Sequence, residues 1–193
     1  NYVDLLPKAI KEQDPRLNDF VMRLQRSSTE MLDLVSELLE VSQVQAGVIS
    51  LDLKPVELKT LIDTIINDVH EKINDKHIRV KFESDPSLWP FIDLDEERMK
   101  RALSVLIHNA VMYNTDGGEI TFRGEEKEHS IEQGKRIFRL SIHDTGLGLT
   151  KDEIDRLFVQ MFSRGDEAEK INPLGRGIGL VLAKSIVSAH KGK

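Results

Sequence analysis

The residues of this sequence best suited to binding a ligand lie in two glycine-containing segments and at one asparagine. Asp144 follows an apolar alternating run from Ile137 to Ile142, and Gly146 and Gly148 follow Asp144. A carboxylate at the end of a strand can accept a hydrogen bond from the exocyclic amine of a flat ligand. The glycines let the backbone approach that ligand or adopt positive φ. Asp and Gly are also common in plain turns, so this motif alone leaves both interpretations open.

A metal ligand and a phosphate-binding segment flank this motif in the sequence. Asn109 lies in a segment with helical spacing, and an amide oxygen on a helix can ligate Mg²⁺, which prefers oxygen and keeps phosphates in its shell. The run Gly175-Arg176-Gly177-Ile178-Gly179-Leu180 opens another helix, so backbone N–H groups and the helix dipole can face phosphate. Its GxGxG spacing after a long loop differs from the dinucleotide-binding fingerprint.

The composition limits the classes of function. The formal net charge is −6, which argues against a nucleic-acid partner and against contact between this segment and a membrane surface. There is no cysteine, which excludes disulfides, thiol catalysis and Cys-ligated metal and fits a reducing compartment. No run of about 18 apolar residues occurs, and the first residues lack a signal-peptide pattern. Because the chain opens on Asn1 without an initiator Met, we expect a fragment.

The first 46 residues predict a partial antiparallel helical hairpin. A long helix begins at Asp14 and Pro15, and Gly47 ends it. Residues 2–10 supply a short partner helix, so two hairpins could pair into a four-helix dimer. The alternative is one amphipathic helix lying on its own domain. The apolar positions of the long helix follow a heptad, with steps of four and three: Leu17, Val21, Leu24, Ser28, Met31, Val35, Leu38 and Ser42.

Residues 47–193 predict a separate α+β domain. Helices and strands alternate without regular βαβ order, which favours a two-layer α/β sandwich with helices on one face. A charged insert, Gly124 to Lys135, is expected as the solvated tip of a hairpin, and residues 163–176 are expected as a loop. The predicted strands are Ile49–Leu53, Ile78–Phe82, Phe91–Ile92, Glu119–Arg123 and Arg136–Ile142, and the predicted helices are Val56–Ile73, Glu96–Tyr113 with Asp95 as its cap, Lys151–Phe158 and Gly177–His190.

Four segments, in this order, resemble the nucleotide-binding boxes of the sensor histidine kinases, in the ATP-binding domain that these share with the gyrase and chaperone ATPases. His108 to Tyr113 resembles the N box, and Asp144 to Leu149 resembles the G1 box. Leu157 to Arg164 resembles the F box with one extra residue, and Gly175 to Leu180 resembles the G2 box. The segment from Ser36 to Gly47 is similar to the end of the dimerisation helix. Four boxes in order after a heptad helix are far more specific than one.

The resemblance implies how the adenine end of an ATP site would be built. Asp144 would accept a hydrogen bond from the adenine amine, and Gly146 and Gly148 would shape the pocket around the base. Asn109 would ligate the Mg²⁺ that bridges the phosphates, and Tyr113 would pack near the nucleotide.

The resemblance also implies the phosphate end. Gly175, Gly177 and Gly179 would admit the phosphates, with Leu180 in the same box. Residues 163–176 would form a lid over ATP. Closure of such a lid excludes water and positions the γ-phosphate, which is where most phosphoryl-transfer catalysis arises.

The sequence departs from the family pattern at two positions near Asn109. Val105 stands one helical turn before it, where the family has a polar Asn or Glu, and Met112 stands where the family has Lys. Both positions share a helix face with Asn109. We hypothesise that Arg176, or else Arg164, supplies the missing charge to the phosphates, which makes Arg176 a candidate catalytic residue beside Asn109. The alternative is that Arg176 is a solvated loop residue.

As a whole, the resemblance implies a cytoplasmic piece of a sensor histidine kinase, whether or not an anchor upstream attaches it to a membrane. It would bind ATP and Mg²⁺ and transfer the γ-phosphoryl to a His, for relay to an Asp of a response-regulator receiver domain. None of the six histidines lies in the hairpin, so we expect the phosphoacceptor upstream of Asn1. The family continues past the last helix with two strands, which we expect to be missing after His190. The implied partners are a second copy, through the hairpin, and the receiver domain.

Two other functions remain open from the sequence. A pseudokinase would bind ATP as a regulatory module without phosphotransfer, and Val105 and Met112 support that alternative. An ATPase of the gyrase or chaperone kind would need a Glu in the N box to activate water. Val105 occupies that place, which disfavours the ATPase.

Overall fold

The computed structural model describes residues 15–130, 135–157, 166–172, 175 and 177–193. The chain divides into two compact units, with the boundary between residues 43 and 44. The helices are α1 (Pro15–Gln45), α2 (Leu58–Asp68), α3 (His70–Asp75), α4 (Glu96–Met112), α5 (Lys151–Arg156), α6 (Asp166–Ile171) and α7 (Gly179–Ala189). The strands are β1 (Lys54–Glu57), β2 (Arg79–Phe82), β3 (Phe91–Leu94), β4 (Glu119–Ser130) and β5 (Lys135–Asp144), and a 3-10 turn covers Pro86–Leu88.

The long helix α1 is confirmed, including the glycine that ends it. Gly47 has a φ of 67°, and its N–H donates to the Val44 carbonyl oxygen at 3.0 Å, which is how glycine commonly closes a helix. The predicted partner helix at residues 2–10 lies outside the described residues. Among the described helices, none has the length and apolar character needed to cross a membrane.

The second unit is a sheet covered by helices, which confirms the predicted α+β sandwich. β4 is the central strand of the larger sheet, with β2 parallel to it on one side and β5 antiparallel on the other. β1 and β3 form a separate antiparallel pair. In the helix layer, α4 packs against both α2 and α7. The core includes fully buried apolar side chains from both layers: Ile62, Ile65, Ile107, Ile120, Phe122, Ile178, Leu182 and Ile186.

Asp95 fixes where α4 begins. Its side chain accepts a hydrogen bond from the Arg98 N–H at 3.2 Å, as predicted for the cap, and another from the Asp52 N–H at 3.2 Å. Burial alone would raise the pKa of the Asp95 carboxyl. The two backbone N–H donors and the Arg98 guanidinium outweigh that effect and hold this pKa below its usual range. The Asp95 N–H in turn donates to Nε2 of His190, just after α7. Asp95 therefore joins three segments of the chain, through its side chain and its main-chain N–H.

The prediction of a strand at Ile49–Leu53 is wrong, because the strand lies at Lys54–Glu57. Alternation in that segment favoured an extended strand, but its Asp52 N–H binds the cap of α4 instead of a neighbouring strand. β1 starts only where Lys54 comes opposite Leu94 of β3. The position of the partner strand decided the register, and short sequence patterns do not contain that information.

The charged insert is not a simple hairpin tip. β4 and β5 remain paired from Ile120 opposite Asp144 as far as Ser130 opposite Lys135, well beyond the predicted strand ends. Residues 131–134 lie outside the described part of the chain. Gly124 enables the pairing to pass the aromatic core, since an added Cβ would lie 2.4 Å from the Phe138 ring and 2.5 Å from the Trp89 ring. Trp89 is buried and belongs to this core.

Two other predicted segments differ in detail. The predicted helix Val56–Ile73 is divided, because Val56 belongs to β1 and Val69 leaves helical geometry between α2 and α3. The predicted loop 163–176 contains the short helix α6, while most of its other residues lie outside the described part.

Candidate functional site

The last two turns of α4 form the centre of the candidate site. Asn109 is half-buried, and its side chain makes no hydrogen bond within the described part of the chain. Tyr113 caps the helix, with its N–H donating to the Asn109 carbonyl oxygen at 3.0 Å. The amide of Asn109 is therefore available to a ligand. Its neighbours one turn away on the same face are Val105 before it and Tyr113 after it.

The Asp144 loop is attached directly to the end of α4. The Leu147 N–H donates to the Tyr113 carbonyl oxygen at 3.1 Å, and the Gly146 N–H donates to Oδ1 of Asp144 at 2.9 Å. A Cβ on Gly146 would lie 2.4 Å from the Tyr113 oxygen, closer than real Cβ atoms approach. Glycine is thus needed for this contact. Asp144 is exposed, and in the described structure its Oδ2 has no hydrogen-bond partner. Gly148 adopts a φ of 67°.

Asn114, which the sequence analysis did not single out, holds this loop in place through Thr145. Asn114 is buried, and its Oδ1 accepts a hydrogen bond from the Thr145 hydroxyl at 3.1 Å. Oγ1 of Thr145 accepts a hydrogen bond from the Glu119 N–H at 2.9 Å, and Nδ2 of Asn114 donates to the Glu119 carbonyl oxygen at 3.1 Å. Gly118 leaves room for this cluster, since a Cβ there would lie 2.2 Å from Oδ1 of Asn114. A buried Asn whose amide oxygen and nitrogen are both hydrogen-bonded indicates such a supporting role. The sequence alone does not show that Asn114 is buried.

The start of α7 meets α4 at Val105. A Cβ on Gly179 would lie 2.9 Å from Cγ1 of Val105, so the two helices touch where Gly179 has no side chain. Ile178, the N-cap residue of α7, makes no side-chain cap hydrogen bond, so among the described residues the N–H groups of the first turn are available. Gly177 has a φ of 67°. The structure therefore brings the predicted phosphate-binding segment to the same face of α4 as Asn109.

The remaining predicted site residues are placed as follows. Leu180 is half-buried in the first turn of α7, and the Gly175 N–H donates to the Asn172 carbonyl oxygen at 3.0 Å. Arg164 and Arg176 lie outside the described residues, so their predicted contacts with phosphate stay predictions.

The two ends of the site are spaced by α4 itself. Val105 and Tyr113 lie eight residues apart, or about 12 Å at 1.5 Å per residue. Asn109 lies midway between them. An extended ligand with a flat base at one end and anionic groups at the other would fit this spacing.

Comparison with known proteins identifies the family. Residues 94–193, more than half of the chain, match the family model described as histidine kinase-, DNA gyrase B-, and HSP90-like ATPase. The chain belongs to this ATPase family. The match covers α4, the Asp144 loop and α7, which are the three elements of the candidate site.

Relatives of this ATPase domain include sensor histidine kinases. Sensor histidine kinase GacS of Pseudomonas protegens is 28% identical over 192 residues, which cover 100% of this chain and 20% of GacS. Among solved structures, full-length ShkA in complex with AMPPNP has a TM-score of 0.68 at 25% identity, covering 91% of this chain and 34% of ShkA. Histidine kinase ThkA in complex with the response regulator protein TrrA has a TM-score of 0.55 at 20% identity, covering 84% of this chain and 46% of ThkA, and shows likeness of fold. The chain spans about a fifth of the length of GacS.

The far face of the ATPase sheet carries different residues. His143 pairs with Thr121 and lies beside Ser141 in a shallow depression on the side of the sheet away from Ile120 and the core. The alternation of β5 therefore places the His143 side chain on the face opposite to that of Asp144. In the described part of the chain, no group of three or more His, Asp and Glu residues is arranged to hold a metal ion.

Proposed function

We propose that this chain is the nucleotide-binding catalytic part of a sensor histidine kinase, together with the end of its dimerisation hairpin. It binds Mg-ATP and transfers the γ-phosphoryl to a His that is not in its hairpin segment, for relay to an Asp of a response regulator. One observation carries the proposal. Asp144, Asn109 and Gly179 come from separate segments, yet all three are held along one face of α4.

The chemistry follows from which atoms are available. Oδ2 of Asp144 can accept a hydrogen bond from the adenine amine while Oδ1 keeps the Gly146 N–H. The half-buried Asn109 amide fits Mg²⁺, because it is an oxygen donor with no partner in the described structure. Mg²⁺, when bound, neutralises charge on the phosphates. The uncapped N–H groups at the start of α7 face the same region and suit phosphate oxygens. Arg176 and Arg164 are proposed as additional phosphate contacts.

The proposed partners follow from α1 and from the relatives. Several heptad side chains of α1 remain exposed, among them Leu24 and Met31 at 53% and 65%. A heptad surface of this kind is typically covered by another helix, which supports dimerisation through the hairpin. ThkA, which shares the fold, was solved with a response regulator protein, which supports a receiver domain as the second partner.

The binding step is tested by isothermal titration with a nonhydrolysable ATP analogue, with and without Mg²⁺. We expect Asn109→Ala to remove most of the Mg²⁺-dependent gain in affinity, about tenfold or more, because the amide ligand is lost. Asn67→Ala is the matched control, since Asn67 is exposed in the last turn of α2. If wild-type protein does not bind the analogue, or if both variants behave alike, the proposal is wrong.

A pseudokinase is the second candidate, and the structure offers one observation in its favour. Val105 packs on Gly179, so an apolar side chain stands at the phosphate end one turn before Asn109. A chain extended upstream to include the phosphoacceptor helix separates the two functions. Transfer of labelled phosphate from ATP to a His supports the kinase. Tight nucleotide binding without any labelled protein supports the pseudokinase.

A further inference from the structure

Lys76 binds the carboxyl-terminal end of α4. Its side chain is half-buried, and Nζ donates to the carbonyl oxygens of Val111 at 3.1 Å, Met112 at 2.5 Å and Asn114 at 3.2 Å. The last carbonyls of a helix have no partner within the helix and lie at the negative end of its dipole. A single ammonium group therefore satisfies three acceptors that would otherwise be left to water.

The main chain of Lys76 strengthens the same junction. Its carbonyl oxygen accepts a hydrogen bond from the Gly117 N–H at 2.8 Å, in the turn that follows α4. In the described part of the chain, no carboxylate lies within ion-pair distance of Lys76. The charge of this residue is thus directed at backbone carbonyls and at nothing acidic.

Lys76 binds the stretch of backbone that holds the Asp144 loop, since the loop is hydrogen-bonded to Tyr113 and Asn114. Tyr113 lies between Met112 and Asn114, and its carbonyl oxygen accepts the hydrogen bond from the Leu147 N–H. The Asn114 side chain accepts the hydrogen bond from the Thr145 hydroxyl. A change in the path of this backbone would therefore move the loop that carries Asp144.

We propose that Lys76 is a positioning residue for recognition of the base. It holds the end of α4 so that Asp144 stays where it can distinguish an adenine amine from a guanine carbonyl. The proposal rests on the proposed function, because it assumes that Asp144 contacts the base. Because the Lys76 ammonium group is directed at backbone carbonyls, its effect falls on discrimination between bases rather than on binding of phosphate.

The test compares Lys76→Met with Lys72→Met in the otherwise unchanged chain. Met keeps the length of the side chain and removes the donors. Lys72 is the matched control, since it is an exposed lysine one turn earlier, in α3. Affinities for nonhydrolysable ATP and GTP analogues are measured by titration, and exchange of the Leu147 amide hydrogen is followed by NMR in the protein without nucleotide.

We expect Lys76→Met to reduce the ATP-to-GTP affinity ratio by about tenfold, equivalent to one lost discriminating hydrogen bond, and to speed exchange at Leu147. Lys72→Met should leave both unchanged, and Lys76→Arg should keep most of the ratio because it retains charge and donors. A lower melting temperature with an unchanged ratio would reduce Lys76 to a structural role and overturn the proposal. If Lys76→Met does not fold, Lys76→Gln is judged by the same criteria.

Failure of the underlying function looks different from failure of this inference. Wild-type protein that binds neither analogue, or binds both equally, refutes base recognition by Asp144 and this inference with it. Wild-type protein that prefers the ATP analogue, with the same ratio in Lys76→Met, refutes the role of Lys76 alone.

Discussion

Gly146→Ala is the substitution that tests most directly whether the Asp144 loop must lie against α4. The new Cβ would be 2.4 Å from the Tyr113 carbonyl oxygen and 2.8 Å from Oδ1 of Asp144. Ordinary contacts of a Cβ atom begin at 3.4 Å, so the loop has to retreat by about 1 Å. The hydrogen bond from the Leu147 N–H, now 3.1 Å long, would then stretch beyond useful range.

The expected magnitude combines two effects. Overpacking of this size costs about 1–3 kcal/mol, and the lost hydrogen bond costs about 1 kcal/mol. A shift of Asp144 by nearly 1 Å should weaken its contact with a bound base, so we expect affinity for an ATP analogue to fall by about 10- to 100-fold. Titration calorimetry gives the affinity, and urea unfolding gives the free energy of unfolding.

Gly47→Ala separates the close contact from the general effect of losing a glycine. Gly47 has a φ of 67° with no atom within 4 Å of its added Cβ, so Ala there costs only about 1–2 kcal/mol of left-handed strain. We expect lower stability and unchanged nucleotide affinity in this control. Wild-type affinity in Gly146→Ala, within about twofold, would refute the reasoning that glycine is required for the loop to dock.

Two further predictions concern the ends of α4. Gly179→Ala should clash with Val105, at 2.9 Å, and lower stability by about 1–3 kcal/mol, whereas adding Val105→Ala should restore much of that loss. A double-mutant cycle by urea unfolding checks this, and additivity within about 0.5 kcal/mol contradicts it. The lowered pKa of Asp95 stabilises the fold above the unfolded value of about 3.9, and this contribution is lost as pH falls through the lower folded pKa. Asp95→Asn keeps the cap, so its unfolding free energy should depend less on pH between about 5 and 3 than that of wild type. Equal pH dependence contradicts the assignment.

The helix that organises the site was predictable because its signals are local. Asp95 supplies the cap, and the apolar spacing behind it continues to Met112, so α4 was placed within a residue. The Asp144 motif was equally visible, because a polar and glycine-rich segment follows an alternating run. Local sequence contains all the information that these two features require.

The supports of the site were not predictable, because they depend on pairing between distant segments. Asn114 and Lys76 look like ordinary turn and surface residues in sequence. Only the parallel pairing of β2 with β4 brings the turn after α3 to the end of α4. The prediction of a strand at 49–53 was wrong for the same reason, since the Asp52 N–H donates to Asp95, which caps a helix more than 40 residues away.

The fixed spacing along α4 has a consequence for how this fold could change. The base end and the phosphate end of the site both contact the same helix, at Tyr113 and Val105, so the length of α4 between them sets the distance between the two ends. One residue inserted between them would rotate one end by about 100° relative to the other and put the two on different faces. Four inserted residues would keep both ends near the same face of the helix but increase the distance between them by about 6 Å. The strands and loops can tolerate insertions and deletions, but the part of α4 between Val105 and Tyr113 must keep the same number of residues.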